Sequence, residues 1–378
     1  MKFKAVTHQS TASVALARLP RSALASVAGS ILVGAVLLSV AGCASRPLTV
    51  YSTDTTSMIL APVSVAGGID ARSRFREILC QVMEQHGREL PDYRPCDEVL
   101  VRLIDEGPPS GRQVDLGPTR AHFQVLFVPG LGWTCFEHIV QPSGSVAHHL
   151  TRLGHEVSLL EVGALSGSGA NAKLIRDKVM GMPVPQGPKR IVLIGYSKGA
   201  VDVLEAIAGY PELQSRVAAV VSLAGSVGGS ALANDASQST LDLLRHLPGA
   251  ECDEGDSDAL TSLKPAIRQA WLAGNPLPKS IRLYSLVTYP GPEQISSVLR
   301  PSYNKLSQID ARNDSQLIFY DQVIPGSVLL GYLNADHWAV GVPINRSHPF
   351  LASVLVDKNA FPREVLMEVL LRYIEEDL

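Results

Sequence analysis

The chain has 378 residues, 46% of them hydrophobic and 18% charged, with 31 glycines and 25 prolines. That is a globular composition with ample material for a large core, and the length suggests one big domain plus appendages. The formal net charge is −3 and no basic run occurs, a balance that argues against nucleic acid as a partner.

Residues 1–42 read as a leader and not as part of the fold. Lys2, Lys4, Arg18 and Arg21 give it a positive start without any acid, and the apolar run Ala23 to Val40 ends in Val40-Ala41-Gly42-Cys43. A basic stretch, a short apolar stretch and small residues at the cut describe a secretory signal. The small-small-Cys ending resembles the bacterial lipobox, which implies Cys43 as the lipidated first residue of the mature protein. An uncleaved anchor is the alternative, because the run approaches the length of a spanning helix. The expected location is the bacterial cell envelope, on the periplasmic face or outer membrane, with an acyl anchor holding the protein to the membrane. Removing the leader takes the formal net charge from −3 to −7, which suits neutral or apolar partners.

Residues 43–117 form an N-terminal extension with no catalytic pattern. It carries two helical stretches, "RSRFREILCQVMEQHG" and "CDEVLVRLIDEG", and ends in the Pro/Gly-rich "GPPSGRQVDLGPT". Besides Cys43 the chain has Cys80, Cys96, Cys135 and Cys252, an even count that permits two disulfides in an exported protein. Three connectivities are open. Cys80–Cys96 is favoured because it ties the first helical stretch to the second, which leaves Cys135 with Cys252; buried free thiols are the alternative. No C-x-x-C or His/Cys cluster points to a metal, and no cofactor is implied.

Over residues 118–378 strand and helix patterns alternate. "HFQVLFV" reads as a strand, "SGSVAHHLTRLG" as a helix, "HEVSLLEV" as a strand, "NAKLIRDKVMG" as a helix and "RIVLIG" as a strand. "RVAAVVSLAG", "SIRLYSLVTY" and "SVLLGYLN" continue the strands, and "REVLMEVLLRYIEE" is a final amphipathic helix. This alternation specifies an α/β fold with a mostly parallel sheet flanked by helices. Residues 226–279 interrupt the rhythm with two helical patterns around the acidic "GAECDEGDSD". An insertion placed here, between two strands of the series, would overhang the carboxyl edge of the sheet as a cap.

Between "RIVLIG" and the helix that follows lies Gly195-Tyr196-Ser197-Lys198-Gly199, a G-x-S-x-G in a strand–turn–helix setting. The turn is sharp enough to strain its central residue, and the flanking glycines let strand and helix approach closely. An ordinary turn serine is the plain alternative. With the patterns around it, the chain from about Ala121 onward resembles an α/β-hydrolase of the lipase/esterase kind.

The resemblance implies an order of oxyanion loop, nucleophile, acid, histidine. "VLFVPGLGW" supplies the loop, and Leu131 and Lys198 are then the oxyanion-hole residues through their backbone N–H groups. Pro129-Gly130 stands where relatives often carry His-Gly, but backbone performs the chemistry there. His337 in "NADHW" is the expected base, taking the Ser197 proton; His348 is the only later rival. The acid is assigned to Asp321 in "IFYDQVIPGS", with Asp314 in "RNDSQ" and Glu293 in "PGPEQ" left open. Asp336, adjacent to His337, reads as a solvated loop residue. Trp133 and Trp338 flank the site, as pocket walls or as core packing.

The function implied is a secreted, lipid-anchored serine hydrolase that cleaves carboxylic esters, small-molecule or lipid-like, through a Ser197–His337–Asp321 triad. An acyltransferase using the same residues, or a non-catalytic binding lipoprotein on this fold, are the other readings.

Overall fold

Two short strands of the extension, β1 (Ile69–Asp70) and β2 (Leu100–Val101), join six strands of the C-terminal region in one sheet. The latter are β3 (Gln124–Val128), β4 (Glu156–Leu159), β5 (Ile191–Tyr196), β6 (Val217–Leu223), β7 (Arg282–Thr288) and β8 (Val328–Leu333). They run in the order β1-β8-β7-β6-β5-β3-β4, and all pairings along that path are parallel. This computed structural model describes residues 67–133, 135, 144–184, 191–236, 241–242, 246, 251–252 and 255–378. The leader, Cys43 and parts of residues 226–279 lie outside the described residues.

The central strands β5, β6 and β8 are buried along their whole length because helices cover both faces of the sheet there. Val192, Ile194, Val221, Leu223 and Leu286 face one core, shared with α1 (Arg72–Gln85), α2 (Gly144–Arg152) and a C-terminal helix. Leu126, Val128, Ile191, Leu193 and Val220 face the other, shared with α3 (Ser168–Gly181) and α4 (Lys198–Gly209). Each such side chain, fully buried, contributes about 1.5–3 kcal/mol of transfer free energy. The architecture is that of the α/β-hydrolase fold.

Two expectations for the extension and the C-terminus need correcting. "CDEVLVRLIDEG" is helical only over Cys96–Val99, after which β2 pairs antiparallel with the outer edge of β8, Leu100 opposite Leu333 and Val101 opposite Tyr332. Arg76 of α1 holds this strand by donating to the Leu100 and Val101 carbonyls, each at 3.0 Å. The extension thereby covers a sheet edge that would otherwise present unpaired backbone groups. The last helix, α5 of the sandwich (Arg363–Asp377), is buried on every side from Arg363 to Ile374, because α1 and α2 pack over the face expected to meet water.

The polar groups of that last helix are accordingly paired. Glu364 bonds Arg346 in a bidentate contact, at 2.5 and 2.9 Å. Glu368, fully buried, receives His86 Nε2 at 2.9 Å, His149 Nε2 at 2.8 Å and Arg372 Nε at 2.8 Å. Burial opposes ionisation of Glu368, yet the hydrogen bonds from His149, His86 and Arg372 outweigh it and bring the carboxyl down to about 2. No sequence motif announces this cluster, whose two imidazoles and carboxylate lie within 4.8 Å of one another. Arg152 reaches His149 Nδ1 at 3.2 Å. A guanidinium can only donate, so Nδ1 accepts and the Nε2–H donates to Glu368. The cluster ties three helices together by hydrogen bonds.

The disulfides are Cys80–Cys96, which joins α1 to the turn before β2, and Cys135–Cys252, which joins the segment after β3 to the inserted region. Within that insertion, a helix at Pro265–Gly274 packs beside α4. Its fully buried Arg268 donates to Glu205 at 2.6 Å and to the Val227 carbonyl at 3.3 Å.

Candidate active site

Ser197 occupies the turn between β5 and α4 with φ +54° and ψ −123°. A residue with a Cβ rarely adopts this backbone, which costs of order 1–3 kcal/mol and persists only where the surroundings enforce it. The glycines show how. A Cβ on Gly195 would stand 2.4 Å from Ala200 Cα, and one on Gly199 would stand 2.2 Å from the Val128 carbonyl oxygen. Strand, helix and the end of β3 are too close for any side chain at either position. Ser197 N–H donates to Leu223 O at 3.2 Å, and Ser197 O accepts from Ser226 N at 3.0 Å, so the bend is tied to the end of β6 and to the turn after it.

The fold brings Ser197 and His337 together. Ser197 Oγ lies 2.8 Å from His337 Nε2. His337 opens a short helix, His337–Gly341, just past β8, at the same carboxyl edge of the sheet as Ser197. Its carbonyl accepts the buried Tyr196 hydroxyl at 2.8 Å, and the two rings lie 5.3 Å apart. His348 instead caps the turn Ile344–Ser347.

The carboxylate beside His337 is that of Asp314, not Asp321. Asp314 Oδ2 meets His337 Nδ1 at 2.7 Å and accepts from the Thr288 hydroxyl at 2.5 Å. Asp314 Oδ1 takes the backbone N–H groups of Gln316 and Leu317 at 2.9 and 2.7 Å. A tight turn with Ser315 at φ +84° places these donors, and Asn313 Oδ1 secures it by accepting Ser315 N at 3.0 Å. Gln322 completes the shell, accepting Thr288 N at 2.8 Å and donating to Thr288 O at 3.1 Å. No sequence motif marks Thr288, Gln322 or Tyr196; the turn-forming N-D-S stretch is the one local feature that could have pointed to Asp314.

Asp321 points elsewhere. It lies in the turn Phe319–Gln322, its backbone carbonyl accepting Gly228 N at 2.7 Å, and a Cβ on Gly228 would stand 2.6 Å from its Oδ1. Its Oδ2 has no hydrogen-bond partner among the described residues, and burial alone pushes the carboxyl up to about 7. Glu293 is exposed in the turn Pro292–Gln294. Asp336 is fully buried, contrary to the expected solvated position. It caps the His337 helix through Ala339 N at 2.9 Å and also takes Ser296 N at 3.0 Å.

The Pro129–Gly132 loop runs directly past the serine. A Cβ on Gly130 would stand 2.9 Å from Ser197 Cβ and 3.3 Å from Oγ. Gly132, at φ +72°, donates to Ala164 O at 3.1 Å. Lys198 opens α4, whose first N–H groups have no partner within the helix and carry the positive end of its dipole. Trp133 is a core residue, tilted against Phe127 and edge-on to Tyr196; Trp338 packs partly buried against Ile295, Val298 and Val356.

Sheet order and the strand–turn–helix serine define the class as an α/β-hydrolase. No family profile matches the chain, and no curated protein sequence does. Among solved structures, a metagenomic carboxyl esterase, MGS0156, is similar at 41% identity with a TM-score of 0.80, over 85% of this chain and 97% of that one. The mature Bacillus licheniformis lipase BlEst2 is similar at 19% identity and a TM-score of 0.48, over 64% of this chain and 95% of that one. The chain belongs to the carboxyl esterase family of α/β-hydrolases and is a carboxylic ester hydrolase.

Proposed function

We propose that this esterase works through an acyl-enzyme on Ser197, with His337 as base and Asp314 as the acid that orients it. The observation that carries this reading is the continuous contact Ser197 Oγ–His337 Nε2 and His337 Nδ1–Asp314 Oδ2, at 2.8 and 2.7 Å. Oγ attacks the ester carbonyl carbon while Nε2 takes its proton. The oxygen that becomes negative is held by the Leu131 and Lys198 N–H groups. The ester C–O bond then breaks and the imidazolium gives its proton to the departing alcohol. Water, deprotonated by His337, attacks the acyl carbon, the carboxylic acid leaves and the proton returns to Ser197. Asp314 keeps the proton on Nδ1, so Nε2 presents a lone pair to the serine, and it stabilises the imidazolium.

The substrate class is a small-molecule or lipid-like ester, met at the bacterial cell envelope by a protein exported and acylated on Cys43. The test has two arms. Purified protein treated with a fluorophosphonate should carry the label on Ser197, and p-nitrophenyl esters of graded chain length should define acyl preference. Full turnover by Ser197→Ala would overturn the mechanism. For the anchor, Cys43→Ala should move the protein from the membrane fraction to the soluble one; unchanged membrane retention would refute lipidation at Cys43.

A further inference from the structure

A chain of buried polar groups runs between the nucleophile helix and the oxyanion loop and takes no part in the steps above. Lys198 is 1% exposed, and its ammonium meets Asp202 Oδ1 at 2.7 Å, one turn along α4. The other Asp202 oxygen accepts from Asn171 Nδ2 of α3 at 2.8 Å. Asn171, 1% exposed, also clamps both backbone groups of Gly163: its Oδ1 takes the N–H at 2.9 Å and its Nδ2 reaches the carbonyl at 3.1 Å. The next residue, Ala164, accepts Gly132 N–H from the oxyanion loop at 3.1 Å.

Resting on the reading of Leu131 and Lys198 as oxyanion donors, we propose that Asn171 and Asp202, with the Lys198 ammonium, are positioning residues that set the spacing of those two N–H groups. Each donor belongs to one end of the chain. Lys198 contributes its own N–H, and Leu131 precedes the Gly132 that is tied to Ala164. An oxyanion hole works because its dipoles are fixed before charge develops, so a loop free to shift loses transition-state stabilisation without losing ground-state binding. Packing holds the Leu131 side chain, against the cluster of Val201, Ala233 and Leu263 and the cluster of Cys135, Ala164 and Leu165. Packing of that kind restrains position but does not aim an N–H. Buried ion pairs add little net stability, which fits a positioning role better than a stabilising one.

The same strand-to-helix segment also seats the inserted region. Gly167 N donates to Asp256 at 2.6 Å and Ser168 N donates to Ser262 Oγ at 2.9 Å. Gly163 itself tolerates no side chain, since a Cβ would fall 2.3 Å from Ser166 Oγ. One short stretch thus registers nucleophile helix, oxyanion loop and cap.

The test compares wild type, Asn171→Ala and the double variant Lys198→Met/Asp202→Leu. The double variant removes both charges together and keeps an apolar filling, so it remains folded where a single charge deletion would strand the other charge. The readouts are kcat, KM and inhibition by an alkyl boronic acid, whose tetrahedral adduct on Ser197 places an oxygen in the hole. We expect kcat to fall about 10–100-fold in both variants, the usual cost of losing a group that supports a functional one, with KM within threefold. The boronate Ki should rise by the same factor as kcat falls. A merely structural role would lower Tm and leave kcat and Ki per folded enzyme unchanged, and that result in both variants overturns the proposal. If Ser197→Ala and Asp314→Asn abolish turnover in the same assays, that result sinks the positioning role alone. If those two stay active, the catalytic reading itself fails.

Discussion

Asp314 holds His337 at two points: its Oδ2 lies 2.7 Å from the ring Nδ1, and its backbone carbonyl accepts the His337 N–H at 3.0 Å. Ring orientation and backbone entry of the histidine are therefore set by one residue, itself fully buried and anchored by Thr288 and its own turn. Asp314→Asn would present an amide where the carboxylate stood, favouring the wrong imidazole tautomer. Its kcat should fall by roughly 10³–10⁴ with the fold intact. Asp321→Asn should stay within a few-fold of wild type. Steady-state kinetics on both variants check this, and the reverse ranking would return the acid role to Asp321.

That Asp314 and not Asp321 lies beside His337 has a physical source. Both aspartates lie between β7 and β8, and sequence spacing to the histidine does not say which way a turn aims its side chain. Only the pairing of Asn313 with Ile318 and the left-handed Ser315 turn Asp314 inward. Ser197 and His337 were legible because their placement needs only strand ends and chain order. The alternating apolar runs likewise sufficed for the sheet, since burial on both faces leaves an unambiguous pattern. β2 was hidden because its two residues become strand only by meeting β8, a tertiary contact that overrides local helical preference.

Asp321 offers a pH test independent of catalysis. Its folded value near 7 lies above the ordinary 3.8, because burial disfavours the charged form. The folded state therefore binds the proton more tightly than the unfolded one, and stability falls as pH rises from about 4 to 7, then levels off. The full effect is roughly 4 kcal/mol. Asp321→Asn lacks this titration, so its Tm should exceed wild type by most at pH 8 and by least at pH 4. Tm–pH curves that run parallel for the two proteins would contradict the assignment.

Glu368 should behave in the opposite sense. Burial opposes its charge, but His149, His86 and Arg372 bring it to about 2 against an ordinary 4.5. The stability it contributes is complete above about 4.5 and is lost as pH falls toward 2. Glu368→Gln should cost roughly 3 kcal/mol at neutral pH, and the gap to wild type should close near pH 2. Urea titrations at pH 7 and pH 3 measure it, and a gap that widens in acid would exclude this account.

The Cys135–Cys252 bond closes a span of 117 residues and fastens the inserted region to the segment just after the Pro129–Gly132 loop. Glu251 N also donates to Cys135 O at 2.9 Å, so the two segments meet through backbone as well. Chain entropy assigns such a loop about 4–5 kcal/mol, against about 3 for the 16-residue Cys80–Cys96 loop. Cys80–Cys96 ties α1 to the edge of the sheet, far along the chain from the catalytic turn. Leu131, by contrast, packs against the buried cluster that contains Cys135, the same cluster on which Cys252 and Leu260 pack. A Cys135→Ala/Cys252→Ala variant should therefore lose kcat and boronate affinity together, whereas Cys80→Ala/Cys96→Ala should lose Tm while keeping kcat. Assays below each variant's melting transition separate the two effects, and equal losses of kcat in both would show that the cap bond has no special hold on the site.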